Sequence, residues 1–408
     1  MAASEPTLER ELGFFEATVY GVGLILGAGI YAVIGAAAGL AGGSVVLSFL
    51  LAAVVATLTG LSYAELASMF PRGEGDYIYV REAFGSKRLS EVVALLRILV
   101  GVVSAAAVAL AFAGYLTTFA RVPATPVAVA VVVVASAVNY WGIEQSARVN
   151  VVFTALEVLG LVVVVAAGWG RWGTVDVLAA PNGVDGVVGA AFLVFFAYVG
   201  FGSLVTVAEE TRDATREIPR AIVASIAVTT ALYLVVAVST VAVLDYRTLG
   251  ASDAPLADVV AAALGPTAGG ALAVIALFST ANTVLILLVS TSRMLYGVSK
   301  AEHRSFPTLF SRVHPRRRTP HYAVALAGVV TAAFTVVGDV GAVASVANLF
   351  LLVVFVLVNA ALLRLRVTRP DADRGFTAPL SVGRVSLTAA AGLLASAALG
   401  VVTLAGGL

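Results

Sequence analysis

Cysteine is absent from this chain of 408 residues, and charge of either sign is scarce. Without thiols there can be no disulfide, no thiolate nucleophile and no cysteine-ligated metal. Charged residues make up 12% of the chain, whereas soluble proteins carry about 25%. Because 60% of the residues are hydrophobic and the mean hydropathy is +1.01, the composition indicates a polytopic membrane protein.

Histidine is also rare, and all three histidines lie in or at the end of one loop: His303, His314 and His321. An intramembrane histidine relay is therefore excluded. A membrane-embedded enzyme would need clustered His, Asp or Cys at membrane depth, and a channel would need a filter loop or a ring of charge. Neither pattern is visible, so we expect no enzyme, no metal and no organic cofactor. A net charge of +1 gives no sign of nucleic acid binding.

Long apolar runs are what the chain does contain. A membrane-spanning helix needs about 20 mostly apolar residues, and eleven runs meet or approach that length. They are 14–38, 45–67, 95–119, 124–141, 149–168, 187–208, 220–244, 267–297, 321–337, 341–363 and 382–405. The sequence therefore predicts an all-α protein with eleven transmembrane segments.

The charges between these runs predict the orientation. Residues 1–13 lack the basic region of a signal peptide, so the first helix is expected to be retained. With that end inside, the inner loops hold twenty basic residues and the outer loops three, which is a strong positive-inside signal. We expect a cell membrane protein of a prokaryote with a cytoplasmic N-terminus and an external C-terminus. The basic loop 299–320 either fixes this topology or also contacts anionic lipid.

Two glycine-rich stretches interrupt the first and sixth runs. The first run holds four glycines within residues 21–29, and the sixth contains Tyr198-Val199-Gly200-Phe201-Gly202. Glycine costs about 1 kcal/mol in a helix interior relative to alanine, so both helices can unwind there. Close helix packing through small residues is the alternative interpretation.

The spacing of these stretches favours unwinding. They lie five segments apart, and therefore in opposite orientations, as in an inverted repeat of five plus five helices. The repeats would be 14–168 and 187–363, with 382–405 outside them. Freed N–H groups at a half-helix start suit a carboxylate, and freed carbonyls suit an ammonium group. Together the breaks predict a receptor for a zwitterion such as an α-amino acid.

Several short stretches, in this order along the chain, resemble one known group. They are 23–31; 63–66 with 70–79; 195–201 with Glu209, Glu210 and 218–220; and 292–296 with 306–307. The chain resembles the amino acid–polyamine–organocation (APC) superfamily of permeases. This resemblance implies a LeuT-type fold, alternating access and a small amino acid as the partner in solution.

The resemblance also implies roles for single residues. Gly27, Ala28, Gly29 and Ile30 would bind the substrate carboxylate. Phe196, Ala197 and Val199 would offer carbonyl oxygens to the amino group, and the Phe196 ring would cap the substrate. Tyr31 and Phe201 would be pocket neighbours.

The chain departs from the family pattern in three places. Members usually have twelve helices, so the eleven here leave a monomer and a homodimer both open. Many members carry an acid where this chain has Gly202, which argues against cationic substrates and for neutral amino acids. Proton-coupled members often carry a lysine where this chain has Glu157.

Glu157 is the main candidate for energy coupling, because an ionised carboxylate costs several kcal/mol inside hydrocarbon. It would carry the proton of a symporter, or bind Na⁺ with Ser279 and Thr280, or be a protonated structural residue. We expect H⁺-coupled symport of neutral amino acids. An uncoupled facilitator or an exchanger of the same fold is the alternative, and a Na⁺ symporter or channel ranks below it.

Other polar residues receive structural interpretations. Glu65 would pair with loop arginines rather than act as a gate. Glu209 and Glu210 would form either a cytoplasmic ionic gate or a solvated helix end. Arg97 and Arg293 would extend to the membrane surface, and Asn139 and Asn348 would hydrogen-bond between helices.

Overall fold

A computed structural model describes residues 12–71, 75–141, 147–300 and 306–405, apart from the side chains of 147–151, 206, 209, 210 and 300. Most of the predicted N-terminal segment 1–13 and the last three residues lie outside this range. The described chain is almost entirely helical, as the apolar runs predict. The prediction of an all-α polytopic protein is therefore confirmed.

Fifteen α-helices follow one another in the described residues. They are α1 (Phe14–Leu26), α2 (Gly29–Ala41), α3 (Val45–Met69), α4 (Asp76–Phe84), α5 (Lys87–Leu116), α6 (Ala124–Trp141), α7 (Ala147–Gly168), α8 (Gly183–Val194), α9 (Ala214–Val243), α10 (Tyr246–Gly250), α11 (Pro255–Leu264), α12 (Pro266–Lys300), α13 (His321–Thr335), α14 (Val340–Thr368) and α15 (Leu387–Ala405). Stretches of 3₁₀ helix cover Gly42–Ser44, Trp169–Thr174, Phe195–Glu210 and Thr308–Ser311. A two-residue hairpin, β1 (Ser381–Val382) and β2 (Val385–Ser386), precedes α15.

Local sequence explains where several helices begin and end. The Ser86 hydroxyl accepts from the Leu89 N–H at the start of α5, and Asp339 does the same for Ala342 at the start of α14. These side chains satisfy donors that a helix start leaves unpaired. Gly85 ends α4 with a φ of +62°, a left-handed conformation that glycine adopts without steric cost.

Nine stretches of the described chain are long and apolar enough to cross a membrane, with α2 and α3 counted as one. Three further apolar helices are shorter: α1, α11 and α13. Every predicted run coincides with helical structure, but the first is two helices and the sixth continues α8 as 3₁₀ helix. The prediction missed α4, α10 and α11, which are too short to read as spans.

The packing places the interrupted segments inside the bundle. α9 packs against α1 and α3, while α5 packs against α12 and α14. The 3₁₀ stretch 195–210 lies against α1, α3 and α9. The two irregular stretches are therefore surrounded by intact helices, as is required of non-helical backbone at membrane depth.

Candidate functional site

The first apolar segment is interrupted at Gly27 and Ala28, between α1 and α2. Ala28 is fully buried, and its N–H donates to the hydroxyl of Thr283 on α12 over 3.2 Å. The next N–H groups open a new helix, and the first donors of a helix have no acceptor within it. The start of α2 therefore presents donors that suit an anionic group.

The second interruption begins earlier than the sequence predicts. α8 ends at Val194, and the chain continues as 3₁₀ helix from Phe195, whereas the glycines predict the change at 198–202. Asn348 on α14 contacts the backbone at this point, because its amide donates to the Phe192 carbonyl over 2.6 Å. That carbonyl thereby has a donor other than the N–H an α-helix would give it. A 3₁₀ run of 16 residues is far longer than usual and marks a special segment.

Glycines let the two interrupted segments touch backbone to backbone. A Cβ atom on Gly29 would lie 2.8 Å from the Cα of Ala197. A Cβ on Gly200 would lie 2.0 Å from the Leu24 carbonyl oxygen. No side chain fits at either position, so the crossing of the two segments requires both glycines.

Tyr233 on α9 joins the two interruptions. Its hydroxyl oxygen lies 2.9 Å from the carbonyl oxygen of Ile25, 3.3 Å from that of Leu26 and 3.1 Å from that of Ala197. The ring is fully buried and packs edge-on against Phe49. The carbonyls freed at the end of α1 therefore converge with a carbonyl of the 195–210 stretch on one phenol.

Glu157 lies on α7, buried to 3% exposure. The Ser279 hydroxyl of α12 donates to its carboxylate over 2.8 Å. The Tyr31 hydroxyl of α2 donates to its backbone carbonyl over 3.0 Å, and Gly160 leaves room for that phenol, since a Cβ there would lie 2.4 Å from it. Glu157 is therefore tied to the helix that follows the first interruption.

α12 completes a closed set of contacts around the first interruption. Ser279 and Thr283 are four residues apart and share one face of this helix. Ser279 contacts Glu157, and Thr283 contacts Ala28, while Tyr31 links α2 back to Glu157. Each of α2, α7 and α12 is thus hydrogen-bonded to the other two.

The remaining predicted residues fall into two groups. Ile30, Phe196 and Ala197 are buried at the crossing, and Val199 is half-buried. Phe201 packs edge-on against Tyr63, with ring centroids 5.5 Å apart, so its ring belongs to an aromatic cluster with Tyr63 of α3 and Phe355 of α14. The Thr280 hydroxyl donates to the Ala276 carbonyl of its own helix over 2.7 Å. The structure therefore does not bring the Thr280 hydroxyl to Glu157.

Glu65 on α3 is fully buried among cations. Arg366, near the end of α14, binds both carboxylate oxygens. Arg374 Nε lies 3.2 Å from Oε1, and the Ala378 N–H donates to Oε2 over 2.8 Å. This arrangement agrees with pairing to arginines and anchors the chain after α14. The side chains of Glu209 and Glu210, expected to form either a gate or a solvated helix end, lie outside the described residues.

The prediction that Arg97 extends to the membrane surface is wrong. Its side chain is only 11% exposed, and the guanidinium forms an ion pair with Asp76 over 2.8 Å. It also donates to the Ser203 hydroxyl in the 3₁₀ stretch over 3.3 Å. Asp76 begins α4, a helix that the apolar runs do not predict, and it supplies the counter-charge that keeps the arginine inside. Asn139 bridges helices as expected, donating to Ser292 over 3.1 Å.

Comparison with known proteins gives relatives along nearly the whole chain. An uncharacterized transporter of Mycobacterium tuberculosis is 36% identical over 370 residues, covering 88% of this chain and 81% of the relative. The branched-chain amino acid permease BcaP of Bacillus subtilis is 29% identical, covering 92% and 85%. Cationic amino acid transporter 7 of Arabidopsis thaliana, a chloroplastic protein, is 29% identical, covering 90% and 67%.

The sequence profile of one family matches the chain from residue 12 to residue 406. Its description is amino acid permease, which is the group that the glycine-rich and flanking stretches resemble. The many apolar helices agree with a protein of the membrane. The chain therefore belongs to the amino acid permease family of the APC superfamily, whose members are multi-pass membrane transporters.

Proposed function

We propose that this permease carries a neutral α-amino acid across the cell membrane by alternating access, with a proton as the coupling ion. The observation that carries the proposal is the crossing of the two interrupted segments at Gly29 and Ala197. The carboxylate would bind at residues 27–30. The N–H groups of Gly29 and Ile30 open α2 there, whereas those of Gly27 and Ala28 donate to the Gly23 carbonyl and the Thr283 hydroxyl. The ammonium group would bind carbonyls of Phe196, Ala197 and Val199.

The hydrogen bonding of Tyr233 supports the ammonium position. A phenol has one proton to donate, yet three carbonyl oxygens lie within 3.3 Å of it. When one of these oxygens accepts that proton, the other two are left without it. The Ala197 carbonyl belongs both to this set and to the proposed ammonium site. An ammonium group, which has three donors, would bond it together with the Phe196 and Val199 carbonyls, while Tyr233 would orient it.

Two observations support a neutral substrate. A Cβ on Gly202 would lie 3.2 Å from the Tyr63 ring, so an acid that could pair with a cationic side chain has no room there unless Tyr63 moves. The relative BcaP is named for branched-chain amino acids, which are neutral. The relatives named for cationic amino acids are no more similar.

The surroundings of Glu157 favour a proton over Na⁺. A hard cation prefers several oxygen ligands. Ser279 contacts the carboxylate, but the Thr280 hydroxyl is turned to its own helix. In the proposed cycle Glu157 loads and releases one proton. Its links through Ser279, Thr283 and Tyr31 would transmit that change to the carboxylate end of the substrate site.

The proposal includes the architecture that the sequence predicts. The eleven runs would be eleven spans, with 14–168 and 187–363 as inverted repeats and 382–405 as an additional helix. The N-terminus would be cytoplasmic. This arrangement puts the two interruptions at corresponding places in the two repeats, which is where transporters of this kind bind substrate.

The test is transport by purified protein in liposomes. A thermal-shift screen against the twenty amino acids first identifies the substrate. Wild-type protein should then accumulate it above equilibrium when the lumen is more alkaline than the outside. Glu157→Gln should not accumulate it, yet should still exchange labelled for unlabelled substrate. Glu91→Gln is the matched control, because the half-buried Glu91 pairs with the exposed Lys87 at the start of α5 and should not affect accumulation.

The other results each contradict part of the proposal. Simple equilibration by wild-type protein would indicate a facilitator, and uptake only into preloaded liposomes would indicate an exchanger. If Glu157→Gln accumulates substrate with the wild-type dependence on pH between 5 and 8, Glu157 has no part in coupling. Stabilisation by lysine or arginine alone in the screen would overturn the neutral substrate.

A further inference from the structure

A groove outside the proposed transport site opens between α6 and α13. Its volume is about 410 Å³, within the range of sites for small molecules. Its walls are formed by Ser136, Ala137 and Tyr140 of α6 and by His321, Tyr322, Val324 and Ala325 of α13. Both helices are membrane-facing in part, since Val133 and Val329 are 58% and 68% exposed.

Aromatic residues indicate at which level of the membrane this groove lies. Trp141 ends α6 with 55% of its surface exposed, and Tyr322 in the first turn of α13 is 38% exposed. Exposed Trp and Tyr side chains are enriched where the hydrocarbon meets the lipid headgroups. The groove therefore runs from headgroup level into the acyl-chain region.

A strongly basic turn stands at the mouth of the groove. Arg312, Arg316, Arg317 and Arg318 are all exposed, and none forms an ion pair with a carboxylate among the described residues. The start of α13 adds the positive end of a helix dipole on the same side. This concentration of positive charge is complementary to an anionic group.

The hydrogen bonds that hold this turn do not use the arginine side chains. His314 Nδ1 accepts from the backbone N–H groups of Arg316 and Arg317, both over 3.3 Å. The Thr319 hydroxyl donates to the Tyr140 carbonyl at the end of α6 over 3.0 Å. The Arg317 guanidinium lies 5.0 Å from the centre of the Tyr140 ring. One cation is thus fixed over the groove wall while its hydrogen-bond donors stay available.

We propose that this groove binds one membrane phospholipid with an anionic headgroup. The phosphate lies against Arg316, Arg317 and Arg318, and one acyl chain follows the groove past Ala137. Ser136 Oγ and His321 Nδ1, on two residues that line the groove, are buried without a hydrogen-bond partner among the described residues. Charge complementarity selects the headgroup, and the apolar walls select a lipid over a free anion.

The test compares lipids on the full-length protein in detergent. Native mass spectrometry with equal amounts of dioleoyl phosphatidylglycerol and dioleoyl phosphatidylcholine should show a preferred phosphatidylglycerol adduct. Arg316→Gln/Arg317→Gln/Arg318→Gln should bind it roughly a hundredfold more weakly, because each cation near an anionic lipid contributes about fivefold in affinity. The turn should persist, since its hydrogen bonds use the backbone.

Charge-matched and size-matched controls keep the result interpretable. Arg121→Gln/Arg171→Gln/Arg247→Gln removes the same charge; Arg121 precedes α6, at the end opposite Tyr140, and a helix of 18 residues is about 27 Å long. That variant should bind as wild type does. Ala137→Leu fills the groove and should weaken the adduct at least about tenfold, whereas Val134→Leu, on the exposed side of α6, should not.

Three outcomes would overturn the proposal. They are equal adducts with the two lipids, equal loss in both arginine variants, and no effect of Ala137→Leu. Inorganic phosphate provides a further arm: if it raises the unfolding temperature as much as the lipid does, a free anion is the ligand.

Discussion

Two buried glutamates, Glu65 and Glu157, occupy opposite electrostatic situations. Glu65 is fully buried, and both of its oxygens are bound by Arg366, by the Ala378 N–H and by close contact with Arg374. Glu157 is nearly as buried, but among the described contacts its carboxylate has one partner, the hydroxyl of Ser279. The carboxylate of Glu65 is thus surrounded by positive charge, whereas the described contacts give the carboxylate of Glu157 one neutral donor.

The difference shows why burial alone does not identify a coupling residue. A carboxylate paired with fixed guanidinium groups has permanent positive charges beside it, because arginine is not deprotonated in proteins. A carboxylate with a single hydroxyl can exist in either protonation state, since serine both donates and accepts. We therefore regard Glu65 as an anchor for the chain after α14, and Glu157 as the residue to which the proposed proton coupling is assigned.

The largest expected effect is at the anchor. Glu65→Gln leaves Arg366 and Arg374 without their carboxylate, and removing one partner of a buried ion pair costs about 3–5 kcal/mol. We expect a large fall in the thermal unfolding temperature of the detergent-purified protein. The matched control is Glu82→Gln, because Glu82 pairs with Arg369 on the surface and exposed pairs contribute at most about 1 kcal/mol. Equal losses in both variants would refute the anchoring role.

An intermediate effect on stability is expected at Ser279, whose hydroxyl contacts the carboxylate of Glu157. Ser279→Ala removes the hydroxyl and leaves a buried acceptor unpaired, at a cost of about 1–3 kcal/mol. Thr280→Val removes a neighbouring hydroxyl that bonds its own helix and should cost less than about 1 kcal/mol. The unfolding temperatures of both variants, compared with wild type, measure the difference. A larger loss for Thr280→Val would mean that Ser279 does not hold the carboxylate.

The smallest effect on stability is expected from Glu157→Gln. Glutamine keeps an oxygen that can accept from Ser279, and the Tyr31 contact uses the backbone carbonyl of residue 157. The free energy of unfolding should therefore change by less than about 1 kcal/mol. The shift in the unfolding temperature should be correspondingly small. A loss as large as that of Glu65→Gln would show Glu157 to be a second anchor, and the comparison between the two glutamates would fail.

The sequence predicted features that arise from local chemistry. Apolar length located every long helix, and the glycines located the first interruption at Gly27, because both signals act within a few residues. The start of the second interruption could not be predicted. The Asn348 amide bonds the Phe192 carbonyl there from a position 156 residues away, a contact that the local sequence does not reveal.

The same limit applies to the site. Tyr233 and Thr283 lie in unbroken helices, and no neighbouring residue marks them as special. Tyr233 becomes a candidate only because its hydroxyl meets carbonyls of α1 and of the 195–210 stretch. For Glu65 the sequence indicated pairing with arginines, but which arginines depends on how α14 packs on α3. Arg97 was misjudged because its partner Asp76 begins a short helix that apolar length cannot reveal.

The single acid beside the first interruption has an electrical consequence. A neutral amino acid that travels with one proton at Glu157 moves one positive charge across the membrane in each proposed cycle. That charge gains about 2.3 kcal/mol for every 100 mV of membrane potential. A potential of about 100 mV alone could then sustain a concentration ratio of roughly fiftyfold. In this proposed cycle the Ser279 hydroxyl would contact the group through which the membrane potential drives amino acid accumulation.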